Sequence, residues 1–186
     1  MLINLACQYF VRCIKPCYPM KRLPYILLFA LPLYGFAQNQ QLAINEQVWK
    51  PFCEALVALD TSRYLSVHAQ QLIRVERANK KIYGYDEYRK NTIRGFEAAL
   101  RNQQSAPKVR FSVELRFLER IASDELAFEV GYYKSILQFP DGRQQIYYSQ
   151  FYVTLIREMG QWKIATDASL PLPQLTEQEF LLASPM

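Results

Sequence analysis

The order of apolar periodicities along this chain predicts an α+β fold, with a helical front half followed by a four-strand antiparallel meander. Three observations carry it. Apolar residues recur at helical spacing early in the chain, at Ile44, Val48, Phe52, Ala55, Leu56 and Leu59. From Val109 onward the spacing changes to strict alternation, with Val109, Phe111, Val113, Leu115 and Phe117 separated by Arg110, Ser112, Glu114 and Arg116. Three turn signals, Ala122-Ser123-Asp124, Pro140-Asp141-Gly142 and Met159-Gly160, then divide the back half into four runs rich in β-branched and aromatic residues.

The first helix carries Pro51 inside its pattern, which predicts either a kink or a helix starting near Lys50, with Asn45 as a candidate cap. Asp60-Thr61-Ser62 opens a short second helix through Tyr64 and Leu65. Residues 72–77 read as a strand, turned at Ala78-Asn79-Lys80 into a brief return at Ile82 that Gly84 ends. A third helix begins at Tyr85-Asp86, with Tyr88, Ile93, Phe96, Ala99 and Leu100 on its apolar face and Gly95 as a site of close approach to the sheet. Residues 102–107 link it to the meander. The run 126–139 and the run 146–156 are apolar or aromatic on both faces, and such strands need cover on both sides. One face takes the helices. The other predicts a homodimer through the sheet, and the length of these runs predicts strong bending, with Gly131 as a candidate bulge.

Two segments flank this core. Met20-Lys21-Arg22, the apolar stretch Leu23 to Leu33 and the small residues ending at Ala37 have the three-part form of a secretory signal peptide, cleaved before Gln38. Residues 1–19 are then an upstream extension outside the native product, and 20–37 the signal. The expected address is the periplasm or the exterior, with no stable membrane anchor after cleavage. Removing residues 1–37 takes away Arg12, Lys15, Lys21 and Arg22 and no acid, which leaves 18 basic against 17 acidic residues where the whole chain has 22 against 17. The near-neutral balance argues against nucleic acid as a partner. Cys7, Cys13 and Cys17 also fall before the cut, so Cys53 is left without a disulfide partner and reads as an inert thiol on an apolar helix face. Behind the meander, residues 170–186 form a tail in which Thr176-Glu177-Gln178-Glu179 matches a capping box ahead of Phe180, Leu181 and Leu182, predicting a short docked helix.

The order helix, short helix, strand hairpin, Gly84-Tyr85-Asp86-Glu87-Tyr88 opening a third helix, then a long meander closing on Gly160-Gln161-Trp162-Lys163-Ile164 resembles the nuclear transport factor two superfamily. The likeness is to its SnoaL-like and ketosteroid-isomerase-like branch and covers residues 42–169. It implies a cone-shaped α+β roll, a strongly curved antiparallel sheet wrapped round about three N-terminal helices, with a pocket at the open end and dimerisation through the sheet. The family's enzymes use a carboxylate base in an apolar pocket, typically where the second helix gives way to the first strand. Here that junction reads Ser66-Val67-His68-Ala69-Gln70-Gln71, with no carboxylate. His68, the single histidine, is the alternative base, with Asp167 as the residue that would orient it. Trp49, Tyr88, Tyr133 and Tyr147 are the aromatic candidates for holding a flat ligand. Arg74, Glu76 and Arg77 read as a solvated or cross-strand ion-pair face. One histidine and one mature cysteine give no metal-ligand cluster, and neither a phosphate loop nor a Gly-x-Ser-x-Gly elbow is present, so no cofactor is implied.

Three functions follow in order of preference. The first is an exported module that binds a small apolar or aromatic molecule in the cone. The second is a lyase or isomerase using His68, and the third a non-catalytic dimeric interaction protein.

Overall fold

Pro51 stands in the first turn of an α-helical segment, Lys50–Ala58, that begins where the sequence offered a helix start, and it follows directly on a distorted turn. In the computed structural model, which describes residues 39–105 and 109–186, helix α1 runs over residues 39–58 with a π-helical segment at Asn45–Trp49. There the Lys50 N–H reaches back five residues to the Asn45 carbonyl. A proline lacks the N–H of an α-helical bond and crowds the carbonyl four residues earlier, and one wider turn just ahead of it relieves both problems. Asn45 is therefore interior rather than a cap. Its side chain instead accepts from Arg120 at 2.7 Å, while Gln47 accepts from the Trp162 backbone N–H at 2.9 Å. The signal-peptide segment lies outside the described residues.

Helix α2, Thr61–Ser66, is capped as expected, with the Asp60 carboxylate accepting from the Arg63 N–H at 3.0 Å. Strand β1 spans His68–Glu76 and pairs antiparallel with β2, Lys81–Gly84. It starts earlier than the alternation suggests, because the exposed pair Gln70-Gln71 interrupts the pattern while Ala69 and Leu72 are buried. Helix α3, Tyr85–Ser105, consumes most of the expected linker and buries Tyr88 and Phe96. Gly95 is not a close approach, since a β-carbon there would meet nothing within 4 Å.

The meander is β3 (Arg110–Ala122), β4 (Leu126–Gln138), β5 (Gln144–Glu158) and β6 (Gln161–Pro171), and the tail adds helix α4 (Glu177–Leu182) and strand β7 (Ser184–Pro185). The sheet order is β2-β1-β6-β5-β4-β3-β7, antiparallel throughout except for the parallel pair β1 and β6. The fold is the α+β cone, open rather than closed into a barrel. Register shifts between Phe117 and Glu119 and between Thr154 and Leu155 bend it. The bulge beside Gly131 is thus on the neighbouring strand, at Leu118. Gly131 is required for a different reason: a β-carbon there would lie 2.2 Å from the Arg116 carbonyl and 2.5 Å from the Phe151 ring.

Inner-face residues Leu115, Phe117, Phe151, Val153, Leu155, Trp162 and Ile164 form the core with Ile44, Val48 and Trp49 of α1. The outer face is covered in part by this chain's own tail. Helix α4 has the complete capping box, the Thr176 hydroxyl accepting from the Glu179 N–H and the Glu179 carboxylate from the Thr176 N–H. Phe180 is fully buried, with Tyr148, Arg116 and Lys134 around its ring. Glu177 pairs with Lys134 at 2.7 Å, and β7 extends the sheet beyond β3. Cover that the sequence assigned wholly to a partner is supplied in part from within. Ile73, Ile121, Leu126 and Ile146 stay exposed.

Candidate functional site

Between α1, α2 and the inner face lies a cavity of about 230 Å³. Its walls are Trp49, Phe52, Leu56, Leu115, Tyr133, Phe151, Val153 and Ile164, and its polar groups are Tyr64, Arg74, Ser149, Asp167 and Ser169. The π-helical turn places Trp49, whose ring lies 5.2 Å from Phe151 and 5.8 Å from Phe117. Its indole N–H donates to Glu129, a fully buried carboxylate of β4 that also accepts from Arg120 at 2.7 Å. Burial raises the Glu129 pKa, and Arg120 and the Trp49 bond oppose it. Two bonded donors satisfy this carboxylate, so it anchors the wall rather than facing the cavity.

Strand register builds the polar end. Arg74 of β1 stands opposite Asp167 of β6. Its Nη1 donates to the Asp167 carboxylate at 2.5 Å and to the Asp167 carbonyl at 3.2 Å, and its Nη2 to the Ser169 hydroxyl at 2.6 Å. The two charged side chains are only 16% and 14% exposed, so their attraction is little screened by water. Burial raises the Asp167 pKa, while Arg74 works against that rise.

Behind this end, out of the cavity, sits His68. Its Nδ1 is 3.0 Å from the Tyr64 carbonyl and its Nε2 is 3.1 Å from the Tyr88 hydroxyl, which in turn is 3.1 Å from the Tyr64 hydroxyl. Burial pulls the His68 pKa down to about 4, so the ring is neutral near pH 7. Burial likewise raises the hydroxyl pKa values of Tyr64, Tyr88 and Tyr133.

Of the residues singled out by sequence, Trp49, Tyr133 and Asp167 line the cavity. Tyr88 lies one layer behind, bonded to His68, and Tyr147 is 55% exposed and not part of the lining. Asp167 does not orient His68: its partner is Arg74, and both ring nitrogens of His68 have other partners. Arg74 was expected on an ion-pair face, and it does form a cross-strand pair, but inside the cone. The signal was available, because Arg74 alternates with Leu72 and so shares its inward face. Glu129 was missed for the same reason, lying on the face of Ala127, Gly131 and Tyr133. Among the described residues, no group of three or more His, Cys, Asp or Glu side chains could hold a metal ion. Burial pushes the Cys53 thiol up to about 12, which leaves it protonated and unreactive near neutral pH.

This architecture has solved counterparts. A protein of unknown function from Mycobacterium tuberculosis superposes with a TM-score of 0.60 at 14% identity, over 81% of this chain and 80% of that one. A candidate scytalone dehydratase from Novosphingobium aromaticivorans gives 0.57 at 14% identity, over 82% and 97%. A ketosteroid isomerase-like protein from Erwinia carotovora atroseptica gives 0.53 at 17% identity, over 72% and 98%. No protein-family model matches the chain, and no curated protein does. The chain shares the α+β cone fold of these proteins, the fold that the resemblance in its sequence implies.

Proposed function

We propose that this chain is an exported, SnoaL-like binding protein that holds a small apolar or aromatic molecule in its cone. The observation that carries the proposal is the cavity itself, apolar around most of its wall and with its charged residues gathered at one end. Its size sets the scale of the ligand. A dry cavity of about 150 Å³ accepts benzene, so about 230 Å³ suits a molecule of one or two rings. The paired charges of Arg74 and Asp167 cancel, which favours a neutral ligand over an ion. Native mass spectrometry of residues 38–186, purified after export, tests this. The expected result is a discrete bound mass that is lost in Ser149→Trp, where the indole fills the cavity. Bare protein that also fails to take up one- and two-ring compounds would refute it.

A second reading has one observation in its favour: Asp167 brings a carboxylate to the cavity from β6, although the helix–strand junction supplies none. Asp167 would then be the base of a lyase or isomerase. His68 is a poorer candidate, being outside the cavity with both nitrogens engaged. Asp167→Asn separates the readings, since it would abolish turnover in an enzyme and leave a neutral ligand bound in a carrier.

We further propose a homodimer through the part of the outer face that the tail leaves open, around Ile73, Tyr152 and Ala168. Sedimentation of wild type against Ala168→Arg tests it: a dimer that becomes a monomer supports the interface, and a wild-type monomer refutes it. Export predicts a periplasmic or secreted product beginning at Gln38, which intact mass would show.

A further inference from the structure

Three side chains of the π-helical turn Asn45–Trp49 are tied to three different strands of the sheet. Asn45, at its start, accepts from Arg120 of β3 at 2.7 Å, and Gln47 accepts from the Trp162 backbone N–H of β6 at 2.9 Å. Trp49, at its end, donates its indole N–H to Glu129 of β4. Arg120 also donates through Nε to Glu129 at 2.7 Å, so one guanidinium holds the start of the turn directly and its end through Glu129. That guanidinium is itself fixed, with its carbon 4.0 Å from the centre of the Phe117 ring. The side chains of Glu129 and Arg120 are 1% and 12% exposed, and losing either partner would leave a buried charge unpaired. A single π-helical turn is rare and is frequent at functional sites. Here it delivers Trp49 to the cavity wall.

We infer that Trp49 sets the upper size limit of the ligand, and that Glu129 and Arg120 are positioning residues that hold it to that limit from outside the cavity. The inference rests on the binding reading above and names its specificity-determining residue. Trp49 is the largest of the lining side chains and comes from helix α1, whereas Leu115, Tyr133, Phe151, Val153 and Ile164 come from strands held by ladder pairing. The indole N–H is the one polar group of the Trp49 side chain, so its bond to Glu129 is the directional contact that fixes the ring. The ring's contacts with Phe52, Phe117 and Phe151 leave more freedom, because apolar packing is not directional. Neither Glu129 nor Arg120 is among the residues that line the cavity. A substitution at Glu129 therefore reaches the ligand through Trp49.

Titration of residues 38–186 with 1-tetralol and 9-fluorenol tests the inference, since both are secondary benzylic alcohols and the second has three fused rings where the first has two. Wild type is expected to bind 1-tetralol about tenfold or more tightly than 9-fluorenol, the scale of discrimination an apolar pocket imposes by size. Glu129→Gln leaves one acceptor for two donors. The charged guanidinium takes the amide oxygen, and the amide NH2 then opposes the indole N–H. Trp49 is released, and the ratio of 9-fluorenol to 1-tetralol affinity should rise about tenfold. Trp49→Phe, which shortens the wall, should raise the ratio likewise, and adding Glu129→Gln to it should change the ratio no further. Asn45→Ala, which frees the start of the turn, should move the ratio the same way and decides the matter if Glu129→Gln does not fold. A merely structural role for Glu129 would weaken both ligands together and leave the ratio as it was. An unchanged ratio in the folded variant, or equal binding of the two compounds by wild type, would overturn the inference and leave the binding reading standing. Binding of neither compound would overturn both.

Discussion

His68 is buried neutral, and that makes stability fall with pH in a window set by this one residue. It is the only histidine in the chain and is 3% exposed. Burial, the dominant cause, lowers its pKa from 6.5 to about 4. The unfolded chain therefore binds a proton from about pH 6.5 downward that the folded chain refuses until about pH 4. Stability must decrease as pH falls through that window. A full pKa unit corresponds to about 1.4 kcal/mol. Integrating the two titrations gives a loss relative to neutral pH of about 2 kcal/mol at pH 5 and about 3 kcal/mol at pH 4. The comparison protein is His68→Gln, which does not titrate and can still donate to the Tyr64 carbonyl and accept from Tyr88. Asp167 and Glu129, whose pKa values burial raises, bias the pH dependence the opposite way, but they are common to both proteins and drop out of the difference. Urea unfolding followed by the fluorescence of Trp49 and Trp162, both buried, measures it. The stability difference between variant and wild type should swing by about 3 kcal/mol in favour of the variant between pH 7 and pH 4. Parallel curves would refute the buried, neutral histidine.

Three further outcomes follow from packing. Gly131→Ala places a methyl against the Arg116 carbonyl and the Phe151 ring and should cost about 1–3 kcal/mol in a denaturant melt. Phe180→Ala should cost about 3–5 kcal/mol, and removal of residues 174–186 should also lower Tm, because the ring is fully buried under α4; an unchanged Tm would mean the tail is not docked. Gly95→Ala should stabilise by about 1 kcal/mol, since the added methyl meets nothing and the helix gains a better former.

Periodicity made the element order legible because strands and helices with one wet face have different repeats. The capping residues Asp60 and Thr176 were readable for a local reason, since each acts within its own turn. What local pattern could not supply was register. Arg74 and Asp167 are 93 residues apart in the chain, and only the parallel pairing of β1 with β6 makes them partners. The same pairing is why an Asp167–His68 dyad looked reasonable: Asp167 does lie on the strand beside β1, but opposite Arg74, while His68 stands opposite Ile164. Trp49 and Tyr133 were recoverable from the rule that aromatics line apolar pockets. Tyr147 obeys the same rule, yet it is exposed near the start of β5 and is not among the residues that line the cavity. The π-helical turn at Asn45–Trp49 had a local signal in Pro51, which points to a distortion but does not say which kind.

Methyl NMR with 1-tetralol added tests the central claim, that the cone is a binding site, most directly. Saturable shifts are expected at Leu115, Val153 and Ile164, which line the cavity, with Ile73, Ile121 and Leu126 on the exposed surface unmoved. Shifts confined to the exposed residues, or no shifts at all, would contradict it.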